Sequence, residues 1–82
     1  MVKLTVSEVD NLLGTLCIDL GFCLPPRAIA QFQQNPPQDL ESFTYAVFIA
    51  EGMDPRHADR KLLAQVREVV RDAFARAASS AD

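Results

Sequence analysis

Residues 39–52 read DLESFTYAVFIAEG, and this stretch decides the fold class because its centre fits either a strand or a helix. Its aromatic and β-branched side chains are typical of strands. Its flanks indicate a helix, since Asp39 is a favourable N-cap and Gly52 a favourable stop. A single strand would also lack a partner elsewhere in the chain. We therefore predict a helix over residues 40–51 that is apolar nearly all round.

Similar flanking signals predict three further helices. Thr5 and Glu8 have the spacing of a capping box, and Gly21 supplies a stop after the following apolar stripe. Proline in a first turn indicates two more helix starts, at residues 25–26 and 54–55. The predicted helices are about 6–20, 26–34, 40–51 and 55–77.

The length and composition fit one small domain. A chain of 82 residues supports a single core that stabilises it only marginally. A hydrophobic content of 49% argues against wholesale disorder. We expect residues 1–82 to form a small single-domain four-helix bundle of the all-α class, with residues 78–82 as a disordered tail because apolar side chains are scarce there.

Charge is distributed unevenly along the chain. The net charge of -3 argues against a protein whose main affinity comes from neutralising phosphates. Residues 1–53 hold two cations and six acids, whereas residues 54–82 hold six cations and five acids. The cations are therefore concentrated in the last predicted helix.

Four arginines of that helix are predicted to line one exposed edge over about 22 Å, at about 1.5 Å per residue. They are Arg56, Arg60, Arg67 and Arg71. Their guanidinium groups are suited to bidentate contacts with carboxylates, phosphates or an acidic partner helix. The alternative is a solvated surface of salt bridges, since Glu68 and Asp72 lie on the neighbouring strip.

Apolar side chains at positions predicted to face solvent indicate an interaction surface. On helical wheels, Ile18 and Phe48 fall on otherwise polar sides of their helices, and Phe22 lies in an apolar connection. Exposed apolar patches commonly mark association surfaces. These three residues and the four arginines are the predicted partner-binding residues.

Motifs for chemistry are missing from the sequence. The three glycines lie too far apart for a phosphate-binding loop. Cys17, Cys23 and the single histidine, His57, lack the spacing of a zinc site. We expect reduced thiols, with Cys17 packed as a small hydrophobe, and no metal or cofactor. A small Cys-dependent enzyme that pairs a cysteine with His57 is the third-ranked function, and the protein is expected not to be an enzyme.

Residues 47–62 offer an alternative function. The run Val47–Ala58 resembles a helix-turn-helix, with Gly52 in the turn and arginines opening the second helix. The resemblance implies nucleic-acid binding, in which residues at the start of the second helix enter the major groove. The residues so placed are Arg56, His57, Arg60 and Lys61. Phe48 stands where that motif usually has a small residue, and the overall charge is acidic.

The preferred prediction is a non-catalytic protein–protein interaction module. Its expected partner is another protein or a second copy of the chain, since a homodimer would also help a marginal core. No stretch approaches the roughly 18 apolar residues of a membrane span. We expect a cytoplasmic protein without a small-molecule substrate.

Overall fold

A computed structural model describes residues 4–80 of the chain, the last of them by its backbone alone. Those residues form four α-helices and no β-strand. The helices are α1 (Val6–Leu20), α2 (Pro26–Gln34), α3 (Leu40–Ala50) and α4 (Arg60–Ser80). The predicted all-α four-helix bundle is confirmed. None of these helices is long and apolar enough to cross a membrane.

Both ends of α1 follow the predicted capping chemistry. The Thr5 N–H donates to Glu8 Oε1 (2.8 Å), and the Glu8 N–H donates to Thr5 Oγ1 (3.2 Å), which completes the capping box. Gly21 ends the helix with φ 76°, a left-handed conformation that glycine adopts at little cost. Val6, the first residue of the apolar stripe of α1, is 55% exposed, whereas Leu4 before it and Val9 after it are buried.

The short helix α2 begins with proline and packs on its neighbours through one large ring. Pro26 takes the first helical position, where a missing N–H costs nothing. Phe32 is its buried residue, and the ring lies 5.0 Å from the ring of Phe43 in α3. Gln33 also donates to a carboxylate oxygen of Asp10 in α1. The helix is thus connected to both α1 and α3.

Side-chain hydrogen bonds define the start and interior of α3. Asp39 caps the helix by accepting from the Ser42 N–H at 2.8 Å and from the Ser42 hydroxyl at 2.9 Å. Thr44, which is buried, donates its hydroxyl proton to the Leu40 carbonyl oxygen at 2.8 Å. The buried polar group is satisfied inside its own helix. α3 ends one residue before the predicted position, with Glu51 as its C-cap.

The buried face of α3 differs from the predicted one, and Phe48 and Phe22 were wrongly expected to be exposed. Phe48 is 0% exposed and Phe22 is also buried. The two rings meet edge to face with 5.1 Å between centroids. The α1–α2 connection covers the side of α3 that the helical wheel of α3 alone identifies as outward. The buried residues are Phe43, Thr44, Val47 and Phe48.

The last helix begins later than predicted. Asp54 and Pro55 form a turn in which the Arg56 N–H donates to Asp54 Oδ1 at 2.9 Å. Asp59 is the residue that caps α4, since its side chain accepts from the Lys61 N–H (2.9 Å). The predicted start at residue 55 is therefore wrong, because an Asp-Pro pair suits a turn as well as a helix start.

The same helix continues beyond its predicted end. α4 reaches Ser80 and so includes three of the five residues assigned to a disordered tail. Residues 81 and 82 lie outside the described part of the chain.

The cytoplasmic location expected from the sequence stays a prediction.

One core joins the four helices. α4 packs against both α1 and α3, and α1 also packs against α2. The ring of Phe43 lies between Phe32 of α2 and Phe74 of α4, with centroids 5.0 and 6.0 Å away. The buried side chains of α4 are Val66, Val70, Ala73 and Ala77. This arrangement leaves the opposite side of α3 in contact with solvent.

Candidate interaction surface

The solvent side of α3 carries the clearest cluster of exposed apolar side chains. Tyr45 is 43% exposed, Ile49 is 64% exposed and Met53, just beyond the helix, is 36% exposed. Tyr45 and Ile49 lie four residues apart and so share one side of the helix, and Met53 follows at its C-terminal end. Ala46 and Ala50 are half-buried beside them. We call these five residues the α3 outer face.

A glycine turn keeps Met53 close to the end of α3. Gly52 has φ 81° and donates its N–H to the Ile49 carbonyl at 2.9 Å. The Met53 N–H donates to the Phe48 carbonyl at 2.9 Å. These two bonds form the Schellman arrangement, which closes the end of a helix by folding the chain back against it. Met53 therefore stays next to α3 and does not extend into the connection.

Two hollows lie on either side of Ile49. The larger, with a volume of about 540 Å³, lies between α2 and α3. Its lining is mostly apolar and comprises Gln31, Phe32, Gln34, Asn35, Pro37, Ala46, Ile49 and Ala50. The smaller hollow is lined by Tyr45, Ile49, Asp54, Pro55 and Arg56. Ile49 lines both hollows, so its side chain forms a ridge between two depressions.

The border of this surface carries no net charge of its own. The polar residues of the larger hollow are neutral amides, Gln31, Gln34 and Asn35. At the smaller hollow, Arg56 Nε lies 3.3 Å from Asp54 Oδ1. The hydrogen bonds from Arg56 lower the pKa of Asp54, and the Asp54 carboxylate in turn raises the pKa of Arg56. Both groups are charged at neutral pH and neutralise each other.

Ile18, a predicted contact residue, is exposed as expected but is isolated. Its side chain is 85% exposed on α1, away from the α3 outer face. It borders a hollow between α1 and α4 whose other solvent-accessible lining side chains are polar or charged, while Leu12 and Ala73 are buried. The polar and charged ones include Glu8, Asp10, Asn11, Thr15 and Arg76. A lone apolar side chain among polar ones is normal on a protein surface.

The predicted arginine row is interrupted. Arg56 lies in the connection before α4 and bonds Asp54, so it is not part of the helix. Arg60, Arg67 and Arg71 are exposed on α4. Arg67 pairs with Glu41 of α3, and Arg71 lies 3.7 Å from Glu68. These two pairs agree with the alternative prediction of a salt-bridged surface, and partner binding by the arginines stays a prediction.

The helix-turn-helix placement of Arg56 and His57 is also wrong, because the second helix begins only at Arg60. Residues 51–59 form the connection, which is longer than the usual three or four residues of that motif. His57 Nδ1 lies 3.3 Å from Asp54 Oδ2 in an exposed position. Nucleic-acid binding by this segment stays a prediction without a structural observation in its favour.

The two cysteines are joined, which corrects the expectation of reduced thiols. Cys17 of α1 and Cys23 of the α1–α2 connection form a disulfide, with their Cα atoms 4.2 Å apart. A disulfide sulfur is not the thiolate that a Cys–His pair requires. Among the described residues, no group of three or more His, Cys, Asp or Glu side chains is arranged to hold a metal ion.

Comparison with protein-family models, curated proteins and solved structures found no match to this chain. The prediction of a helix that is apolar nearly all round did not single out Tyr45, Ile49 or Met53 as exposed. The spacing of four between Tyr45 and Ile49 is the signal that could have paired them, whereas the position of Met53 depends on the turn at Gly52.

Proposed function

We propose that this protein is a non-catalytic protein–protein interaction module that forms a homodimer through the α3 outer face. The exposed side chain of Ile49 carries the proposal, because it projects from the ridge between two hollows. Burying a large aliphatic side chain stabilises a structure by about 1.5–3 kcal/mol. A second chain that covers this ridge gains the part of that free energy that belongs to the 64% of Ile49 still exposed.

The shape of the surface suits a second copy. Ridges of one helix pack into grooves of another, and here one face offers both a ridge and a groove. In a two-fold interface, each copy uses the same patch and must be complementary to itself. The ridge at Ile49 in one copy would enter the hollow between α2 and α3 in the other.

The charge of the surface supports the same partner. A patch with net charge repels its own copy across a two-fold axis, whereas a neutral patch does not. The amides of the larger hollow are neutral, and Asp54 and Arg56 neutralise each other at the smaller one. The surface therefore needs no oppositely charged partner.

Light scattering coupled to size exclusion tests the oligomeric state. We expect a mass of twice the 9.0 kDa of the chain at both low and high salt, because an apolar contact is little affected by screening. A mass of one chain at every concentration tested would contradict the homodimer. A dimer that dissociates in high salt would contradict an apolar interface.

Tyrosine fluorescence tests the location of the interface. Tyr45 is the single tyrosine of a chain without tryptophan, so its emission reports on the α3 outer face alone. We expect acrylamide to quench Tyr45 less in the dimer than after dilution to monomers, with free tyrosine as the fully accessible reference. Equal quenching in the two states would place the interface on another surface.

A further inference from the structure

We propose that Cys17 and Cys23 form a reversible redox modification site, which exchanges with small-molecule disulfides and thiols while the bundle stays folded. Cys23 is the sulfur that meets the incoming reagent. The two are the only cysteines of the chain and are joined in the structure. This site is separate from the proposed homodimer and does not depend on it.

The position of the pair on the surface makes it accessible. Cys17 lies in the last turn of α1 and is half-buried, whereas Cys23 lies in the connection to α2 and is exposed. Exchange requires a thiolate to reach a disulfide sulfur, so access decides which sulfur reacts. Exposure therefore favours attack at Cys23.

Contacts other than the disulfide hold the two cysteines close together. The Gly21 N–H donates to the Cys17 carbonyl and the Phe22 N–H donates to the Leu16 carbonyl, each at 3.0 Å. The left-handed Gly21 closes α1 with the bond of an αL cap, and the bond from Phe22 folds the chain back against the last turns of the helix. The connection is thus shaped by its backbone hydrogen bonds.

Buried side chains fix the chain on both sides of Cys23. Phe22 and Leu24 are both in the core, and the Phe22 ring packs against Phe48. Because both side chains are held by packing, we expect them to stay buried when the disulfide is broken. Reduction is therefore expected to leave the bundle folded with the two thiols still near each other.

The exchange proceeds in two balanced steps with oxidised glutathione as a representative small-molecule disulfide. The Cys23 thiolate attacks one glutathione sulfur, which forms a mixed disulfide on Cys23 and releases one glutathione thiolate. The Cys17 thiolate then attacks the Cys23 sulfur, which forms the Cys17–Cys23 bond and releases the second glutathione. Two electrons pass from the protein to glutathione, and the two thiol protons end on the released glutathiones.

The reverse direction follows the same path. Reduced glutathione attacks Cys23 and displaces the Cys17 thiolate, and a second glutathione then frees Cys23 as oxidised glutathione leaves. Disulfides of intracellular proteins, where they occur, are commonly transient and redox-sensing. The proposed role of the pair is to respond, through the exposed Cys23, to the ratio of thiols to disulfides around the protein.

Reduction kinetics of the full-length protein test whether exchange occurs in the folded state. The oxidised chain is mixed with increasing concentrations of reduced glutathione, quenched with acid and alkylated, and its thiols are counted by mass spectrometry. We expect the rate to rise in proportion to glutathione while the far-UV circular dichroism stays unchanged. A rate that levels off at the global unfolding rate, or a loss of helix on reduction, would overturn the proposal.

Single-cysteine variants test the assignment of Cys23 as the reacting sulfur. With oxidised glutathione, Cys17→Ser should acquire one glutathione on Cys23 on the order of tenfold faster than Cys23→Ser acquires one on Cys17, because Cys23 is the exposed residue. Cys17→Ala serves as a second variant if the serine disturbs the half-buried position. Equal rates, or faster reaction at Cys17, would overturn the assignment.

Discussion

Phe48 lies where the connection between α1 and α2 meets α3. Its side chain is completely buried, and its ring contacts the ring of Phe22 edge to face. A buried aromatic side chain stabilises the folded state by removing apolar surface from water and by a favourable edge-to-face contact with another ring. Phe48 therefore stabilises the bundle and is not available to a partner while the chain is folded.

Replacing Phe48 by alanine should destabilise the protein strongly. We expect a loss of about 3–5 kcal/mol in the free energy of unfolding, because the substitution removes buried surface and leaves a cavity. Urea unfolding, followed by circular dichroism at one protein concentration, measures the change. Ile18→Ala is the control and should change the free energy by less than about 0.5 kcal/mol, since Ile18 is exposed. A similarly small loss for Phe48→Ala would contradict its place in the core.

The Asp39 carboxyl makes the free energy of unfolding depend on pH in a specific way. Hydrogen bonds from Ser42 lower the pKa of Asp39 below its ordinary 3.8. The unfolded chain therefore takes up a proton at this carboxyl before the folded chain does. The stability that Asp39 contributes is present above pH 3.8 and is lost as the pH falls through the lowered pKa.

Comparison with Asp39→Asn isolates this effect, because every other carboxyl is common to the two proteins. We expect the wild type to be the more stable at neutral pH and its advantage to shrink below pH 3.8. Urea unfolding at a series of pH values measures the difference. A difference that is constant across the series would show that the Asp39 carboxylate does not contribute through its charge.

At the scale of the elements, capping and stop residues predict the ends of a helix well when they favour no other local structure. The capping box at Thr5 and the glycine at position 21 gave the bounds of α1 correctly. Asp54-Pro55 has two meanings, since aspartate accepts backbone hydrogen bonds in turns as well as at helix starts. The structure uses Asp59 as the cap of α4, and the sequence alone offered no reason to prefer it.

The buried face of α3 could not be predicted from its own sequence. The helical wheel of a helix that is apolar nearly all round does not show which of its sides is buried. Its burial is decided by neighbours, namely α4 and the connection that carries Phe22. The disulfide was missed for a related reason, since the distance between two cysteines depends on how the chain turns at Gly21.

Amide hydrogen exchange tests the start of α4. A helix from residue 55 would bond the amides of residues 58–62 to carbonyls four residues earlier. In the structure, the Leu63 N–H instead makes the first such bond, to the Asp59 carbonyl at 2.9 Å. We expect fast exchange at residues 58–60 and 62 and slow exchange from Val66 to Ala73. Strong protection across residues 58–62 would favour the earlier start.

At the scale of the whole molecule, one core buries one face of α3 and leaves the opposite face in water. The fold class was predictable because the periodicity of the apolar residues requires helices that share a core. The interaction surface was not predictable in detail, because exposure is decided by which sides of α3 the other elements cover. The α3 outer face is the result of that packing.

The central claim is that two copies associate through the α3 outer face, and sedimentation equilibrium of two matched variants tests it most directly. Ile49→Glu and Ile18→Glu place the same charge at two exposed isoleucines on different surfaces. An unpaired charge in an interface costs about 3–5 kcal/mol, which raises the dimer Kd by more than about 100-fold. The account predicts a dimer for the wild type and Ile18→Glu and a folded monomer for Ile49→Glu. A dimer that survives Ile49→Glu, or a wild-type chain that is always monomeric, would contradict it.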